Sequence, residues 1–249
     1  MKKLNIINIL AIACIILVII VGGLYFFNSR NSKKPADVHI VNDEAQKNKD
    51  SNKDAIDKAN KMSVKTVRPI DENDHRKGEL EAPVQVIVYS DFECPFCLKF
   101  VNSLKQVEET FGNKVVIAFR HYPLLSHTDA IPAAVAAECA GEQGKFWEMH
   151  DQLFQDSQDN ALSITNYKQN AKELGLDQVK FNECLDTEKY KKAITLSQLE
   201  AKEFGVNGTP ASFINGEPVP GAIPFEDFTD SSGESRKGLR SLIEEKLKK

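Results

Sequence analysis

Apolar and polar positions follow different patterns in three successive parts of the chain. The first part contains a run of 24 residues without a charged side chain, from Leu4 to Phe27. A helix rises about 1.5 Å per residue, so this run can cross a hydrocarbon core about 30 Å thick. It is longer than the apolar region of about 7–15 residues in a cleaved signal peptide. We therefore predict that residues 1–27 form a transmembrane signal anchor.

Two other fates of this N-terminal run stay open. Removal as a signal peptide is one, although the run ends in bulky residues, Leu24-Tyr25-Phe26-Phe27, and not in a small-x-small site. Processing as a lipoprotein is the other, because Ala11-Ile12-Ala13-Cys14 resembles a lipobox. The residues that follow Cys14 are apolar, aromatic or glycine and offer no polar tether. This favours Cys14 as a small apolar residue of the anchor.

The second part, residues 28–62, is rich in Asn, Lys, Asp, Ser and Ala and has few large apolar residues. Such a segment buries too little surface to offset the conformational entropy that it loses on ordering. We predict a flexible stalk that spaces a folded domain from the membrane. A helix from Glu44 to Lys61 that docks on the domain is the alternative.

The third part, residues 63–249, carries the periodic apolar patterns of a folded domain. Val84 to Tyr89 is a continuous apolar run typical of a buried strand, and Val115 to Phe119 is a second one. Between them, Pro95 to Phe111 has apolar residues at helical spacing. A strand–helix–strand unit of this kind implies parallel strands joined by a right-handed crossover.

A helical block and a hairpin follow this unit. Helical spacing recurs in five segments, Asp129 to Ala140, Lys145 to Gln155, Ile164 to Leu174, Gln178 to Leu185 and Glu188 to Phe204. The pair Asn215-Gly216 between two short apolar segments, Ala211 to Ile214 and Glu217 to Val219, is a strong hairpin signal. A last helix is expected from Leu239 to Lys248.

Charge and cysteine content bear on partners and compartment. The net charge of −4 gives no basic surface, so a nucleic-acid partner is not expected. Four of the five cysteines lie outside the apolar run, an even number that can pair in an oxidising compartment. Lys2 and Lys3 favour a cytoplasmic N-terminus, although Arg30, Lys33 and Lys34 weaken this bias. We expect a single-pass protein of the cell membrane with its domain outside the cytoplasm.

The candidate chemistry lies in Cys94 and Cys97, where the first strand gives way to the helix. Pro95 suits the first helical position, where its missing N–H costs little. The free N–H groups and the dipole of a helix N-terminus favour a thiolate. Cys94 is the more N-terminal thiol and is expected to be the more exposed one, so it is the candidate nucleophile, and Cys97 is the candidate resolving cysteine. An inert disulfide and a structural zinc site are alternatives, but zinc would need a second ligand pair.

Two separated motifs resemble those of the DsbA-like thiol–disulfide oxidoreductases of the thioredoxin superfamily. They are Asp91-Phe92-Glu93-Cys94-Pro95-Phe96-Cys97 and, far downstream, Gly208-Thr209-Pro210. Three further segments are similar to the membrane-anchored bacterial branch of that family: Phe119-Arg120-His121-Tyr122-Pro123-Leu124, Ala136-Ala137-Glu138-Cys139-Ala140 and Lys145-Phe146-Trp147. The resemblance covers about residues 70 to 228.

The resemblance implies an α/β protein with a thioredoxin fold, interrupted by an all-helical domain at about residues 126–204 and preceded by a transmembrane helix. It implies a cis bond at Thr209-Pro210 beside the dithiol, which leaves the Thr209 backbone free to pair with a substrate peptide. Substrates would be unfolded or reduced secreted proteins. A quinone-linked membrane oxidase of the DsbB or VKOR type would recharge the dithiol. We expect no cofactor and no metal site.

The residues around the dithiol bear on the direction of electron flow. Pro95, Phe96 and Glu93 are the expected modulators of the dithiol. The best-known pattern of the family has His where Phe96 stands, and Phe96 cannot donate a hydrogen bond to sulfur. Asp91 and Glu93 add negative charge, which opposes a thiolate. Oxidation of cysteine pairs is the leading hypothesis, a reductase or isomerase is the second, and a noncatalytic thiol- or metal-binding module is the third.

Cys139 and Cys184 lie in two different predicted helices of the helical block. A disulfide between them would close a loop of about 46 residues, worth about 4 kcal/mol in the chain-entropy model. Unpaired buried thiols, or a resolving or peroxidatic pair, are the alternatives.

Several other residues are expected to have ordinary roles. His121 and His127 are interpreted as loop or surface histidines, one of which could approach the dithiol, and Arg120 as a charge at a strand end. Phe146, Trp147 and Phe154 have the helical spacing of core residues. The segment from Thr229 to Gly238 is expected to be a polar loop.

Overall fold

The computed structural model describes residues 66–248. The predicted anchor (1–27) and stalk (28–62) lie outside these residues, as does Cys14, and stay predictions. Within residues 66–248, no helix combines the length and the apolar character needed to cross a membrane.

The described residues form two sheets and seven α-helices. The strands are β1 (His75–Lys77), β2 (Val84–Ser90), β3 (Val115–His121), β4 (Ala211–Ile214), β5 (Glu217–Val219), β6 (Phe228–Thr229) and β7 (Ser235–Arg236). The helices are α1 (Pro95–Phe111), α2 (Ala130–Gly141), α3 (Phe146–Gln158), α4 (Ile164–Glu173), α5 (Gln178–Asp186), α6 (Lys191–Glu203) and α7 (Leu239–Leu247).

The main sheet has the strand order β1-β3-β2-β4-β5. β2 and β3 are parallel, with Val84 opposite Val115, and α1 connects them. β4 lies antiparallel on the other side of β2 and continues into β5 through the predicted hairpin. The α/β fold with a helical insertion is therefore confirmed. The edge strand β1 was not predicted, because its residues His75-Arg76-Lys77 are all polar.

Alternation along β2 sends side chains into two cores. Val84, Val86 and Val88 pack with residues of α1 and α7. Ile87 and Tyr89 point to the opposite face, where they pack with residues of β3, α6 and the segment before β1. A strand that is buried on both faces shows a continuous apolar run, which explains the sequence pattern.

The five helices α2 to α6 form the insertion between β3 and β4. Their core contains a run of buried small residues in α2 and the aromatic residues Phe146, Phe154 and Tyr167. Trp147 is only partly buried against this core, and its Nε1 donates to the Arg76 carbonyl at 3.1 Å. Cys139 in α2 and Cys184 in α5 are joined by a disulfide, which ties two helices of the insertion together.

The expectation of a polar loop from Thr229 to Gly238 is wrong, because this segment contains the small β6–β7 hairpin. Asp230 organises its turn: Oδ1 accepts from the backbone N–H groups of Ser232 and Glu234, and Oδ2 accepts from Arg236. Strands of two residues are too short to show an alternating pattern, so the sequence carried no signal for them.

Arg120 is not a strand-end charge, because its side chain is 3% exposed. Its Nε and Nη2 donate to the two carboxylate oxygens of Asp74, at 2.8 and 2.9 Å. Its two Nη atoms also donate to the backbone carbonyls of Arg68 and Pro69, at 3.0 Å each. Arg120 therefore fastens the segment before β1 to the sheet. The sequence did not reveal this role because the partners of Arg120 lie about 50 residues away.

Candidate active site

The chain turns sharply between β2 and α1, and this turn positions the dithiol. The Cys94 N–H donates to the Asp91 carbonyl at 3.2 Å, and Cys94 is the N-cap of α1 in extended conformation. Its carbonyl accepts from the N–H groups of Cys97 and Leu98, at 3.0 and 3.1 Å. Pro95 takes the first helical position. The Cys94 sulfur therefore lies at the N-terminal end of the helix, where a negative charge is favoured.

Both thiols of the dithiol are free and buried. Cys94 is 3% exposed and Cys97 is 1% exposed, so the expected difference in exposure between the two thiols is small. Their surroundings are apolar, since Phe92, Val101 and residues of the helical insertion pack around them. The site thus lies where the main sheet meets the insertion.

The loop before β4 covers the dithiol. The Thr209-Pro210 peptide bond is cis. The Cys94 thiol donates to the Thr209 carbonyl with a sulfur–oxygen distance of 3.5 Å. The Tyr122 hydroxyl donates to the Val206 carbonyl at 2.9 Å, which anchors this loop to the residue that follows β3. Residues more than a hundred positions apart are thereby brought together.

The two thiols differ strongly in acidity. A hydrogen bond from the Cys97 thiol is the largest cause that lowers the pKa of Cys94, to about 5. Burial opposes this shift, whereas the N–H groups of Cys97 and Phe96 reinforce it. Burial, together with the proximity of Cys94, raises the pKa of Cys97. The arrangement therefore favours a thiolate at Cys94 and a protonated thiol at Cys97.

This asymmetry predicts the pH dependence of alkylation. Because the pKa of Cys94 is lowered, its thiolate is present above pH 5 and is lost as the pH falls through that value. Iodoacetamide should modify one thiol of the reduced protein at a rate that levels off above about pH 6. Cys97→Ala removes the largest cause of the shift and should move the midpoint upward. A midpoint near the ordinary value of about 8.5 in the wild type would contradict the prediction.

The acidic residues beside the dithiol are both hydrogen-bonded to other groups. The Asp91 carboxylate is buried and accepts from the N–H groups of Glu93 and Leu124 and from His127 Nδ1, all at 2.8 Å. Glu93 turns toward α2 and accepts from the Asp129 N–H at 2.7 Å. The two charges can be inferred from the sequence, but their hydrogen-bond partners cannot, because Leu124, His127 and Asp129 lie more than 30 residues away.

His127 is half-buried at the active site and is not a free surface histidine. Burial opposes its ionisation, but the hydrogen bond to Asp91 and the charges of Asp91, Glu93 and Cys94 raise its pKa above the ordinary value. A protonated His127 would favour the Cys94 thiolate. The alternative that one histidine approaches the dithiol therefore describes His127 correctly.

His121 was also interpreted as a surface residue, and this is wrong. It ends β3, is 5% exposed, and lies 2.9 Å from Glu138 Oε1 through Nε2. His75 of β1 contacts the same carboxylate at 3.0 Å. Burial works against the charged form of Glu138, yet the two histidines hold its pKa well below the usual range. Within residues 66–248, no group of three or more His, Cys, Asp or Glu side chains is placed to hold a metal ion.

Exposed apolar side chains stand beside the buried dithiol. Phe96, between the two cysteines, is 58% exposed, and Lys99 Nζ lies 5.7 Å from the centre of its ring. Leu125 is 90% exposed and follows Leu124, whose N–H is bound by Asp91. A large exposed apolar side chain next to a reactive group is a candidate contact for a partner protein.

The parallel β2–α1–β3 unit, the dithiol at its helix start and the helical insertion define the fold of DsbA-like thiol–disulfide oxidoreductases. The chain belongs to the thioredoxin family, whose sequence model matches residues 71–231.

Solved structures share this fold. The chain is similar to BdbD from Bacillus subtilis in its oxidised form, with a TM-score of 0.62 and 20% identity over 75% of this chain and all of that one. It is similar to α-DsbA1 from Wolbachia pipientis, with a TM-score of 0.55, 21% identity and coverage of 71% and 92%. DsbA2 from Pseudomonas aeruginosa gives a TM-score of 0.52, 26% identity and coverage of 71% and 96%.

The curated proteins that are similar to this chain in sequence are Na(+)/H(+) antiporters, each of which is much longer than the matched segment. The Na(+)/H(+) antiporter NhaA 1 of Mycolicibacterium vanbaalenii is 35% identical over 159 residues, which are 62% of this chain and 25% of the antiporter. NhaA 3 of Salinispora tropica is 38% identical over 160 residues, 64% of this chain and 24% of the antiporter. The chain thus spans about a quarter of the length of these relatives, and we propose no ion transport for it.

Proposed function

We propose that the protein oxidises cysteine pairs in reduced secreted proteins by disulfide exchange at Cys94 and Cys97. The observation that carries this proposal is the geometry of the dithiol: Cys94 is the N-cap of α1, and its sulfur lies 3.5 Å from the Thr209 carbonyl. The lowered pKa of Cys94 and the raised pKa of Cys97 agree with this geometry. A dithiol whose reduced form is stabilised is more oxidising. The hydrogen-bond partners of Asp91 and Glu93 weaken one of the two sequence arguments against this direction, the negative charge beside the dithiol.

The exchange proceeds in two steps. A substrate thiolate attacks Sγ of Cys94 in the Cys94–Cys97 disulfide, and the electron pair of the broken S–S bond passes to Cys97. A second substrate thiolate then attacks the substrate sulfur of this mixed disulfide. Cys94 leaves as a thiolate, the substrate pair is oxidised and the enzyme is reduced. The low pKa of Cys94 makes it a good leaving group in the second step.

An extended segment of substrate is expected to bind across Thr209, the residue whose carbonyl lies beside the Cys94 sulfur. Backbone pairing with this loop would be independent of the substrate sequence. The exposed Phe96 and Leu125 would contact apolar side chains that an unfolded protein has not yet buried. These contacts suit a broad range of unfolded substrates.

The proposed location is the outer side of the cell membrane, with residues 1–27 as a single-pass anchor. A structural disulfide and an oxidising dithiol both suit an oxidising compartment. A quinone-linked membrane oxidase of the DsbB or VKOR type is the proposed partner that returns Cys94 and Cys97 to the disulfide.

Measuring the reduction potential of the dithiol tests the direction. Equilibration with glutathione should give a value more oxidising than about −200 mV, above the range of thioredoxin-like reductants. A value near −270 mV, that of thioredoxin, would assign the protein to the reductases.

The second hypothesis, a reductase or isomerase, draws support from Phe96, whose ring cannot donate a hydrogen bond to sulfur.

Capture of mixed disulfides tests the substrate class. Cys97→Ala in cells should accumulate adducts at Cys94 with secreted proteins that contain cysteine pairs, because the thiol that resolves them is missing. The variant Cys94→Ala/Cys97→Ala is the control and should capture none. Adducts formed equally by both variants would contradict the proposal.

A further inference from the structure

A small cavity lies on the inner side of the dithiol, between α1, α3 and the strands β1, β2 and β3. Its volume is about 30 Å³. One water molecule needs about 10–15 Å³ by this measure, so the cavity has room for about two. Cys97 and Ser90 line it from the active-site side, and His150 and Asp151 of α3 line it from the helical insertion.

His150 is held in a defined orientation within this cavity wall. Its side chain is 6% exposed, and its Nδ1 lies 3.0 Å from Asp151 Oδ1. The rings of Phe92, Phe119 and Phe154 surround it, with centroid distances of 5.7, 5.1 and 4.9 Å. Nε2 has no hydrogen-bond partner among the described residues. Because Asp151 accepts the proton on Nδ1, Nε2 carries the free lone pair.

The remaining charged groups around the cavity are cations or are already paired. Lys77 from β1 binds Glu108 of α1 at 3.0 Å, and Lys105 of α1 lies 3.7 Å from Asp151. Burial, reinforced by the two lysines, lowers the pKa of His150 even though Asp151 opposes this. His150 is therefore neutral at neutral pH.

Cys97 needs a proton acceptor, and the cavity contains one. When a mixed disulfide forms at Cys94, Cys97 must lose its proton before it can attack, yet burial favours its protonated form. Glu108 and the lysines are occupied by ion pairs, so the imidazole of His150 is the available proton acceptor. General bases of this kind contribute about 10²–10⁴-fold to rate.

We propose that His150 accepts the proton of Cys97, through water in this cavity, each time the Cys94–Cys97 disulfide closes, and that Asp151 positions and stabilises its imidazolium form. Cys97 Sγ attacks Cys94 Sγ, and the S–S bond to the partner molecule breaks. The partner sulfur leaves with the electron pair as a thiolate, while the Cys97 proton passes to His150 Nε2 and then to solvent. This inference rests on the proposed exchange at Cys94 and names the base that it uses.

The test follows the reaction of the reduced full-length protein with the aromatic disulfide 5,5′-dithiobis(2-nitrobenzoate). The first thionitrobenzoate is released when Cys94 forms the mixed disulfide, and the second when Cys97 closes the ring. His150→Gln should slow the second release by about 10²-fold at neutral pH. The first release should change by less than about twofold, since Cys94 is already a thiolate.

The pH profile separates a proton acceptor from a structural residue. The wild-type closure rate should rise tenfold per pH unit and then level off above the pKa of His150. In His150→Gln it should keep rising toward the pKa of the Cys97 thiol, with no plateau. Asp151→Asn retains the imidazole and should lose about tenfold in closure. It also serves as the test variant should His150→Gln fail to fold.

His75→Gln is the matched control, because this histidine lines a different cavity and binds Glu138. Closure in His75→Gln should equal that of the wild type. Equal closure rates and pH profiles in folded His150→Gln and the wild type, or in Asp151→Asn and the wild type, would overturn the inference. Failure of the wild type itself to release a second thionitrobenzoate would instead refute the proposed exchange.

Discussion

Replacing Cys94 by serine is expected to reduce the oxidative refolding activity of the protein by at least about 10³-fold, to the uncatalysed rate. Removal of the nucleophile from a covalent mechanism eliminates the pathway itself and does not merely slow one step. A serine hydroxyl at the same position cannot form a mixed disulfide, although it preserves size and the contact with the Thr209 carbonyl. The measurement is the recovery of ribonuclease activity when reduced, unfolded ribonuclease is incubated with catalytic amounts of the wild type or of Cys94→Ser.

Cys14→Ser provides a matched cysteine-to-serine control in the full-length chain. It should keep wild-type activity, because Cys14 belongs to the predicted anchor. Circular dichroism of Cys94→Ser should match that of the wild type, since the substitution changes a single atom of a buried side chain. Activity of Cys94→Ser equal to that of the wild type would exclude catalysis at this site.

Asp74→Ala is expected to lower the free energy of unfolding by about 3–5 kcal/mol, the largest stability effect that the fold predicts. The substitution leaves the guanidinium of Arg120, which is 3% exposed, without its carboxylate partner. An uncompensated buried charge is costly, because the interior cannot replace the hydration that the charge loses. Asp74 also binds Arg68 and the Asp71 N–H, so the whole segment before β1 should loosen.

The measurement is the midpoint of guanidinium unfolding, with the disulfide of the insertion intact in every variant. Asp71→Ala is the matched control, because Asp71 pairs with Arg68 at the surface and is 44% exposed. Such an exposed pair contributes about 0–1 kcal/mol. An equal decrease in the free energy of unfolding in both variants would contradict the expectation that breaking the buried pair costs more than breaking the exposed one. The double variant Asp74→Leu/Arg120→Met, which removes both buried charges and keeps much of the side-chain volume, should cost less than Asp74→Ala alone.

The elements with a strong apolar period are those that the sequence predicted well. β2 and β3 are buried on both faces, and α1 has one apolar face, so their patterns are long and local. The Asn215-Gly216 turn is equally local, because glycine and asparagine tolerate the left-handed backbone that the turn adopts. β1 and the β6–β7 hairpin were not predicted, because the formation of short polar strands depends on their pairing partners and not on their own composition.

The active site likewise has some features that follow from the local sequence and others that do not. The position of Cys94 and Cys97 at a helix start follows from adjacent residues, and so does the preference of that position for a thiolate. From the sequence, Asp91 and Glu93 were interpreted as negative charges and His127 as a loop or surface histidine, whereas the structure gives each of them a partner. No spacing along the chain reveals that His127 binds Asp91 or that Glu93 caps a backbone N–H of Asp129.

By itself, the sequence determined the dithiol at a helix N-terminus, the strand–helix–strand unit around it and the helical block between β3 and β4. These features arise from hydrophobic period, turn residues and helix-end chemistry, which act over a few residues. Only the tertiary structure decided that both thiols are buried, which hydrogen bonds Asp91 and His127 make, and that Cys97 shares a cavity with His150. Burial and electrostatic pairing set proton affinities, and both depend on residues that are distant in the chain and close in space.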